Sequence, residues 1–348
     1  MTVKICHVTF PNIATKLSGR GLDRYAYELV RGSQERLSEQ SVVSVSRPTT
    51  FSSYVFREME TVSKLRGIHA KVYHATSEYG LRSLLLARKK PIVVTIHDLI
   101  PRLFLRNSPL VYANQLMHLG NIRFADQVIV SSSFYGNLLA KHRGLSLERM
   151  NPVHYGVDHS TFKPLSERCL NSNIKFLYLG GLNRLKGIRD AIEAFALFSR
   201  SSNATLIIAG KGKDESSLKN LARRLKIIDR IVFAGYVAEN SLPSLYNSAD
   251  ALVWPSSLGF GLPTLEAMSC GTPVIAADYL DSKEYMHGGA LLYSGRSAQG
   301  LSDRFRSVII SNEAWKAWSQ KALEWSENFS WDKMIDEIFS VYSKVARI

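Results

Sequence analysis

Short apolar runs alternate with longer amphipathic stretches along the whole chain. In the first half the clearest runs are Val42–Val45, Val72–Ala75, Ile92–Ile96 and Gln127–Ser131. In the second half they are Ile174–Leu179, Ala204–Ala209, Ile231–Ala234, Ala251–Trp254 and Val274–Ala277. Runs of this length are typical of buried parallel strands, and the stretches between them are typical of helices. The pattern predicts an α/β protein with two successive doubly wound units.

The boundary between the two units is predicted by a change in composition. After Phe162-Lys163-Pro164 the chain is polar from Ser166 to Asn173, as a linker would be. A chain of 348 residues is also longer than one hydrophobic core usually supports. We therefore expect Rossmann-like domains at residues 1–160 and 161–328, with a ligand cleft outside the carboxyl ends of their strands.

A glycine-rich stretch at residues 254–275 carries the strongest chemical signal. It predicts a strand, a sharp turn in which Gly259 and Gly261 flank an aromatic residue, a short helix and a second strand. Pro263 suits the first turn of that helix, where free N–H groups and the helix dipole attract an anion. Glu266 on the same helix can accept hydrogen bonds from vicinal hydroxyls. The stretch predicts a phosphorylated sugar ligand, most simply a nucleotide diphosphate-sugar.

This glycine-rich stretch resembles the C-terminal signature of the family-4 retaining glycosyltransferases with the GT-B fold. Thr95–Pro101 resembles the family's catalytic-histidine segment, and Ser18–Tyr25 resembles its first glycine loop and helix. Further segments similar to the family's follow in the same order, so the resemblance runs from residue 3 to about residue 345. They are Tyr155–Asp158, Leu179–Leu182, Lys186-Gly187 and Ile208–Gly212.

The resemblance implies a two-domain architecture in which each domain binds a different substrate. Two Rossmann-like doubly wound domains would face each other across a cleft, with the acceptor bound by the N-terminal domain. The nucleotide-sugar would bind to the C-terminal domain, and a final helix in residues 329–348 would cross back onto the N-terminal domain.

The family pattern also assigns roles to individual residues. It implies that His97 contacts the transferred sugar, that Lys186 binds phosphate and that Glu266 holds the ribose. The family often carries an arginine five residues before the lysine, where this chain has Gly181, and Arg184 is the candidate substitute. The residues expected to bind substrate are Gly19, Gly21, Arg184, Gly210, Leu258, Gly259, Phe260, Gly261 and Leu262.

One position departs from the family pattern. Family members usually carry two glutamates separated by seven residues, and Leu258 stands where the first of them would be. Leucine neither accepts a hydrogen bond nor stabilises an oxocarbenium ion. The departure leaves open an alternative of a different class, a catalytically impaired sugar-nucleotide-binding partner subunit.

The expected reaction follows from the chemistry that the sequence offers. There is no Asp-x-Asp motif and no His/Cys cluster with ligand spacing, so we expect neither a metal nor another cofactor. Helix N-termini and cationic side chains would then stabilise the departing diphosphate. No paired carboxylates at glycosidase-like positions can be assigned, which argues against a double displacement. We expect a retaining hexosyltransferase that works by front-face substitution.

The substrates are expected from the resemblance. Residues 97–101 resemble mannosyltransferase-like members, which makes mannose the first candidate sugar, carried by GDP or UDP. The acceptor would be a hydroxyl of a glycan or lipid-linked molecule, as in polysaccharide biosynthesis. GT-B-like phosphorylases and epimerases share the architecture and form a related alternative.

Charge is distributed unevenly along the chain, whose formal net charge is +14. Residues 1–160 carry 21 Lys and Arg against 11 Asp and Glu, whereas the rest carries 23 against 19. The basic excess fits a peripheral contact with an anionic membrane, and it fits a solvated basic surface equally well. Nucleic acid is not an expected partner, because no nucleic-acid-binding motif accompanies the charge.

The compartment is predicted from three observations. No apolar run approaches the roughly 20 residues that a membrane-spanning helix needs. The first strand, Val3–Val8, begins without a signal peptide ahead of it. Cys6, Cys169 and Cys270 have neither disulfide nor metal spacing. We expect a cytoplasmic protein, at the inner face of the membrane if the basic half contacts lipid.

Overall fold

The computed structural model describes residues 4–9, 21–37, 39–44, 51–97, 119–170, 172–256, 261–279, 282–294 and 297–346. The chain divides into two compact units. The first contains Met1–Tyr155 together with Trp331–Ile348, and the second contains Gly156–Ser330.

In the first unit the described residues form a six-stranded parallel sheet in the order β2-β1-β3-β4-β5-β6. Its strands are β1 (Lys4–Thr9), β2 (Glu39–Ser44), β3 (Val72–Ala75), β4 (Ile92–Ile96), β5 (Gln127–Val130) and β6 (Met150–Pro152). Among the described residues of this part of the chain, the bounded helices are α1 (Gly21–Arg36), α2 (Phe51–Arg66), α3 (Glu78–Leu86) and α4 (Ser133–Arg143).

In the second unit the described residues form another six-stranded parallel sheet, in the order β12-β11-β10-β7-β8-β9. Its strands are β7 (Ile174–Leu179), β8 (Ala204–Ala209), β9 (Ile231–Gly235), β10 (Ala251–Trp254), β11 (Val274–Asp278) and β12 (Ala290–Ser294). Its helices are α5 (Ile188–Phe198), α6 (Glu215–Arg224), α7 (Leu242–Ser248), α8 (Leu262–Ser269), α9 (Ser282–Met286), α10 (Ala298–Val308) and α11 (Asn312–Ser326).

The last helix, α12 (Trp331–Val345), belongs to the first unit. It packs against α1, where Arg36 donates to the carboxylates of Asp332 and Asp336 at 3.1 and 2.9 Å. Its buried face reaches the sheet, since the Tyr342 hydroxyl lies 2.6 Å from Nδ1 of His74 on β3. The first unit is therefore completed by a helix from the C-terminal end of the sequence.

The two faces of the first sheet differ in chemistry. One face is apolar and packs against α3 and α4 through residues such as Val8, Ala75 and Val94. The alternate positions on the opposite face include the buried polar residues His7, His74 and Thr95. His7 and His74 are register partners on neighbouring strands, so the polar side chains form a row across the sheet.

The second sheet has apolar faces on both sides. One core cluster gathers Phe176, Phe195, Phe198 and Phe305 around β7, α5 and α10. The other cluster lies under α8 and α11 and includes Leu177, Leu252 and Met268. Burial on both faces explains why the strands of this unit are nearly continuous apolar runs in the sequence. None of the helices among the described residues is both long enough and apolar enough to span a bilayer.

Candidate functional site

The order of strands locates a binding edge in the second unit. The chain leaves β7 to build β8 and β9 on one side, then crosses to build β10, β11 and β12 on the other. The topological switch therefore lies between β7 and β10. Ligands of doubly wound sheets bind beyond the carboxyl ends of the strands at such a switch. Here those ends are Leu179 and Trp254.

Backbone segments meet closely beyond β7 and β8. Gly210 follows β8 with φ +138°, and a Cβ on it would lie 1.9 Å from the carbonyl oxygen of Gly180. Its amide N–H donates to the carbonyl of Gly235 at 2.6 Å. Only glycine accommodates both this φ and this approach, so Gly210, a predicted site residue, fastens the ends of β7, β8 and β9 together.

Lys186 lies in a tight turn that is fixed at both ends. The side-chain oxygen of Asn183 accepts from the Leu185 amide at 3.1 Å and begins the 3-10 turn Arg184–Lys186. The turn ends at Gly187 with φ +68°, where a Cβ would lie 2.2 Å from the carbonyl oxygen of Pro255. The turn is thus seated against the segment that follows β10. Arg184 is exposed on the same turn.

The indole of Trp254 contacts two of the elements predicted to bind phosphate. The Lys186 ammonium lies 5.5 Å from the centre of the ring, within cation–π range. A Cβ on Gly261 would lie 2.8 Å from Cε2 and Cζ2 of the same ring. Trp254 is only 5% exposed. One buried aromatic ring therefore lies against both the lysine and Gly261, the residue that immediately precedes α8.

Helix α8 starts where the sequence predicted. Pro263 lies in its first turn, and the Thr264 hydroxyl donates to the carbonyl of Gly261 at 2.6 Å. Leu262, its first residue, is buried. The first-turn N–H groups of the helix give a partial positive charge at this end. The three preceding candidates, Leu258, Gly259 and Phe260, lie outside the described residues.

Glu266, in the middle of α8, is buried and receives a strong hydrogen bond. The hydroxyl of Tyr246 on α7 donates to its Oε2 at 2.6 Å. Glu266 is 5% exposed and Tyr246 is fully buried. Short O–H···O bonds to a carboxylate are among the stronger hydrogen bonds in proteins. This hydrogen bond helps to orient the carboxylate. Sequence reasoning missed Tyr246, because nothing in the spacing of the two residues links them.

In the first unit, His97 follows β4 and uses both of its ring nitrogens. Nε2 lies 2.7 Å from the carbonyl oxygen of Thr76, and Nδ1 contacts the hydroxyl of Tyr155. A carbonyl can only accept, so Nε2 carries the hydrogen and Nδ1 accepts from the tyrosine. The Tyr25 ring packs edge-on against the imidazole at 4.8 Å. Burial lowers the pKa of His97 to about 4, which keeps the ring neutral near pH 7.

A chain of buried hydrogen bonds lies next to this histidine. It runs from Tyr342 to His74 at 2.6 Å, from His74 to Thr95 at 2.8 Å and from Thr95 to Tyr25 at 2.8 Å. Burial lowers the pKa of His74 well below its usual value. These contacts tie α12 and α1 to the sheet beneath Tyr25. These hydrogen bonds therefore hold Tyr25, whose ring packs against His97.

The predicted site residues fall into three groups. Arg184, Lys186, Gly210, Gly261, Leu262 and Glu266 lie in the second unit. His97 and Gly21, the exposed first residue of α1, lie in the first. Gly19, Leu258, Gly259 and Phe260 lie outside the described residues. Within the part of the chain that the structure describes, no group of three or more His, Cys, Asp or Glu side chains is placed to hold a metal ion.

Two six-stranded, doubly wound parallel sheets are the architecture of the GT-B class of folds. The solved structure of Anabaena Alr3699/HepE in complex with UDP and glucose has this fold with a TM-score of 0.79, at 19% identity over 98% of this chain and all of that one. The model for glycosyl transferases group 1 matches residues 167–325, and that for Glycosyltransferase Family 4 matches residues 51–161. Each model covers less than half of the chain, and both describe glycosyltransferases, which confirms the glycosyltransferase resemblance that the sequence predicted.

Two curated relatives show how similar this chain is to known glycosyltransferases. The chain is 27% identical to the glycogen synthase of Mycobacterium tuberculosis over 231 residues, which is 65% of this chain and 56% of that protein. It is 26% identical to the O-antigen chain mannosyltransferase RfbU of Salmonella typhimurium over 299 residues, covering 79% of this chain and 83% of the relative. The match therefore spans little more than half of the first relative and most of the second.

Proposed function

We propose that this chain is a retaining hexosyltransferase. It moves a sugar, with mannose as the first candidate, from a nucleotide diphosphate-sugar to a hydroxyl of a glycan or lipid-linked acceptor. The observation that carries the proposal is the cluster of Lys186, Trp254 and Gly261 at the switch point of the second sheet. It puts an ammonium group and the amino end of a helix around one buried indole, in a family of sugar-transferring enzymes.

Negative charge develops on the diphosphate as it leaves. Lys186, with Arg184 two residues before it, supplies cationic side chains in a turn whose backbone is fixed by Asn183 and Gly187. The amino end of α8 adds the positive end of a helix dipole. Preorganised donors of this kind stabilise developing charge without reorganisation, so the proposed mechanism uses no metal. Glu266 would hold the ribose hydroxyls beside the diphosphate.

The proposed step is a front-face substitution. The bond between the anomeric carbon and the phosphate oxygen breaks, and the acceptor oxygen bonds to the same face of that carbon. The acceptor proton passes to an oxygen of the departing phosphate, which leaves as the nucleoside diphosphate. This route requires no protein base. It agrees with His97, a neutral ring whose two nitrogens already have partners and which would position the sugar.

The choice of substrates rests on relatives. The Salmonella relative is named as an O-antigen chain mannosyltransferase, which supports mannose and a growing glycan. The Anabaena structure holds UDP and glucose, so UDP stands beside GDP as the carrier. Contact with an anionic membrane is supported by the basic excess of residues 1–160 and by Phe56 and Met59, apolar side chains that α2 exposes.

The first experiment is a thermal-shift panel of GDP, UDP, ADP and their common sugar conjugates, with and without EDTA. A ligand at 100 times its Kd adds about 2.7 kcal/mol of stability. We expect one nucleotide to raise the melting temperature selectively, with no effect of EDTA. Proton NMR of the product with that donor then reports the anomeric configuration. No response to any nucleotide would overturn the proposal, and an inverted product would overturn retention.

A second candidate is supported by Leu258, which replaces the first glutamate of the family pair. It is a sugar-nucleotide-binding subunit with impaired catalysis. The variant Leu258→Glu separates the two. An active enzyme with a specialised pocket gains nothing or loses activity on this change, whereas an impaired one gains transfer strongly.

A further inference from the structure

The carboxylate of Glu266 accepts a hydrogen bond from Tyr246, a residue that no sequence motif pointed to. We infer that Tyr246 is a positioning residue, whose hydroxyl orients Glu266 so that the site selects nucleotides with an intact ribose. The inference rests on the proposed function and deepens it. It concerns how the donor is recognised and leaves the chemical step unchanged.

The geometry of the pair supports this role. The Tyr246 hydroxyl donates to Oε2 of Glu266 at 2.6 Å, and both residues are buried. A carboxylate offers about four acceptor positions, and the Tyr246 hydroxyl occupies one of them, on Oε2. Without that donor, Oε2 loses a buried hydrogen bond and the carboxylate is oriented less firmly. The correct orientation would then be populated for only part of the time.

Tyr246 is itself held by two contacts, one to its ring and one to its carbonyl. Its ring packs edge-on against Phe162 at 6.0 Å, in the segment that leads into the second unit. Its carbonyl accepts from the Thr272 hydroxyl at 2.8 Å, just after α8. The Arg168 guanidinium in turn donates to the Thr272 hydroxyl at 3.2 Å. A tyrosine fixed in this way can transmit a defined position to the carboxylate.

Helix α8 is also anchored near Glu266. The hydroxyl of Ser269 donates to the carbonyl of Phe162 at 2.5 Å and lies 2.8 Å from Nδ1 of His159. The helix backbone is therefore fixed independently of Tyr246. Removing the tyrosine hydroxyl should change the direction of the Glu266 side chain and leave the helix in place.

A site built to hydrogen-bond a hydroxyl discriminates against the analogue that lacks it, because its buried polar groups are then left unpaired. Tyr246 and Glu266 should therefore act together on the ribose. The phosphates and the base would be bound by other residues. This separation gives the test a readout that a purely structural tyrosine would not change.

The experiment measures Kd by calorimetry for GDP, UDP and their 2′,3′-dideoxy forms. We expect Tyr246→Phe to weaken the ribonucleotide that binds by about tenfold, which corresponds to about 1.4 kcal/mol. The dideoxy form should change less than twofold. The matched control is Tyr73→Phe, which removes the buried hydroxyl that donates to the Ile68 carbonyl at 2.9 Å in the first unit. It should change neither Kd.

A double-mutant cycle with Glu266→Gln tests whether the two side chains act together. In a Glu266→Gln background, Tyr246→Phe should change ribonucleotide affinity less than twofold, because the two side chains act as one unit. Equal losses for the ribo and dideoxy ligands in Tyr246→Phe would indicate a structural role and overturn the inference. So would a tyrosine variant with unchanged affinity.

Wild-type protein alone also decides part of the question. If it binds the ribo and dideoxy forms equally, ribose recognition is absent and the inference falls while donor binding stands. This reading is independent of whether Tyr246→Phe folds. If the wild-type protein binds no nucleoside diphosphate at all, the proposed function fails, and the inference fails with it.

Discussion

The Lys186 ammonium lies 5.5 Å from the centre of the Trp254 ring, on an indole that also lies against Gly261. One buried ring therefore contacts both the lysine and the residue that immediately precedes α8. Because Trp254 is buried at the end of β10, the sheet fixes the position of this shared contact. The strand order thereby determines where two sources of positive charge are placed.

Lys186→Ala should weaken nucleoside diphosphate binding by about ten- to a hundredfold, since a charge-assisted hydrogen bond is worth about 1.5–3 kcal/mol. The control is Lys321→Ala. Lys321 lies 4.8 Å from the Trp318 ring on α11, so the same kind of pair is removed away from the switch point. Calorimetry with the nucleotide chosen by the thermal-shift panel measures both. Similar losses in the two variants would contradict a phosphate-binding role for Lys186.

Much of the fold could be predicted because the strands are continuous apolar runs. Predicted strands at Val72–Ala75, Ile92–Ile96 and Ala251–Trp254 have the same bounds in the structure. Two strands were not predicted. β6 contains Met150, Asn151 and Pro152, which form no apolar run, and it lies at the edge of its sheet, where a proline is tolerated. β12 is a short apolar run that follows two glycines, and periodicity does not distinguish such a run from a buried helix.

His97 should stay neutral well below the pH at which a free histidine titrates. Burial lowers its pKa to about 4, against about 6.5 in an unfolded chain. Nitrogen-15 NMR of histidine-labelled protein should show a hydrogen on Nε2 and none on Nδ1 from pH 7 to pH 5. A doubly protonated His97 ring at pH 6 would contradict the hydrogen bonds to Thr76 and Tyr155.

The same burial makes folding pH-dependent. The pKa values of His7 and His97 are each lowered to about 4, so the unfolded chain binds more protons than the folded one between pH 6.5 and pH 4. Stability therefore rises with pH across this window and is lost as the pH falls through it. The melting temperature should drop steadily from pH 6.5 to pH 4.5. A flat profile over that range would show that these rings are not buried in neutral form.

Gly210→Ala should destabilise the protein by about 2–4 kcal/mol, because its φ of +138° is strained for alanine and the added Cβ would meet the Gly180 carbonyl oxygen at 1.9 Å. The control is Gly67→Ala, where the nearest atom to an added Cβ is 3.8 Å away. Its effect should stay within about 1 kcal/mol. Urea unfolding of both variants measures the difference. Equal stabilities would contradict the close approach of the two loops.

The site was predictable where a residue acts through its own backbone or its place in a local motif. Pro263 is of this kind, since a helix start can be inferred from neighbours in the sequence, and Gly210 was predicted because its segment resembles the family's. Tyr246 is different, because it reaches Glu266 only after α7 and α8 have packed together. His97 and Tyr155 likewise meet through the sheet, 58 residues apart. Such partners depend on tertiary structure, which residue spacing does not encode.

Membrane contact can be tested on two residues of α2. Phe56 is 73% exposed and Met59 is 56% exposed, and they lie three positions apart, hence on one side of the helix. Two such side chains can insert into the boundary between headgroups and acyl chains, while the basic charge of the first unit attracts anionic lipid. We expect wild-type protein to sediment with phosphatidylglycerol vesicles and not with phosphatidylcholine vesicles.

The double variant Phe56→Ser, Met59→Ser should reduce that binding by at least about tenfold, because fully burying even one large apolar side chain is worth about 1.5–3 kcal/mol. Raising NaCl from about 0.15 M, which is near physiological, to about 0.5 M should weaken the binding of wild-type protein to anionic vesicles by screening. The control is Ile310→Ser, which removes a side chain that is 78% exposed in the second unit. If this control loses as much binding as the double variant, the contact does not involve α2. If wild-type protein ignores anionic vesicles, the basic charge of the first unit is a solvated surface, the other interpretation that the sequence allowed.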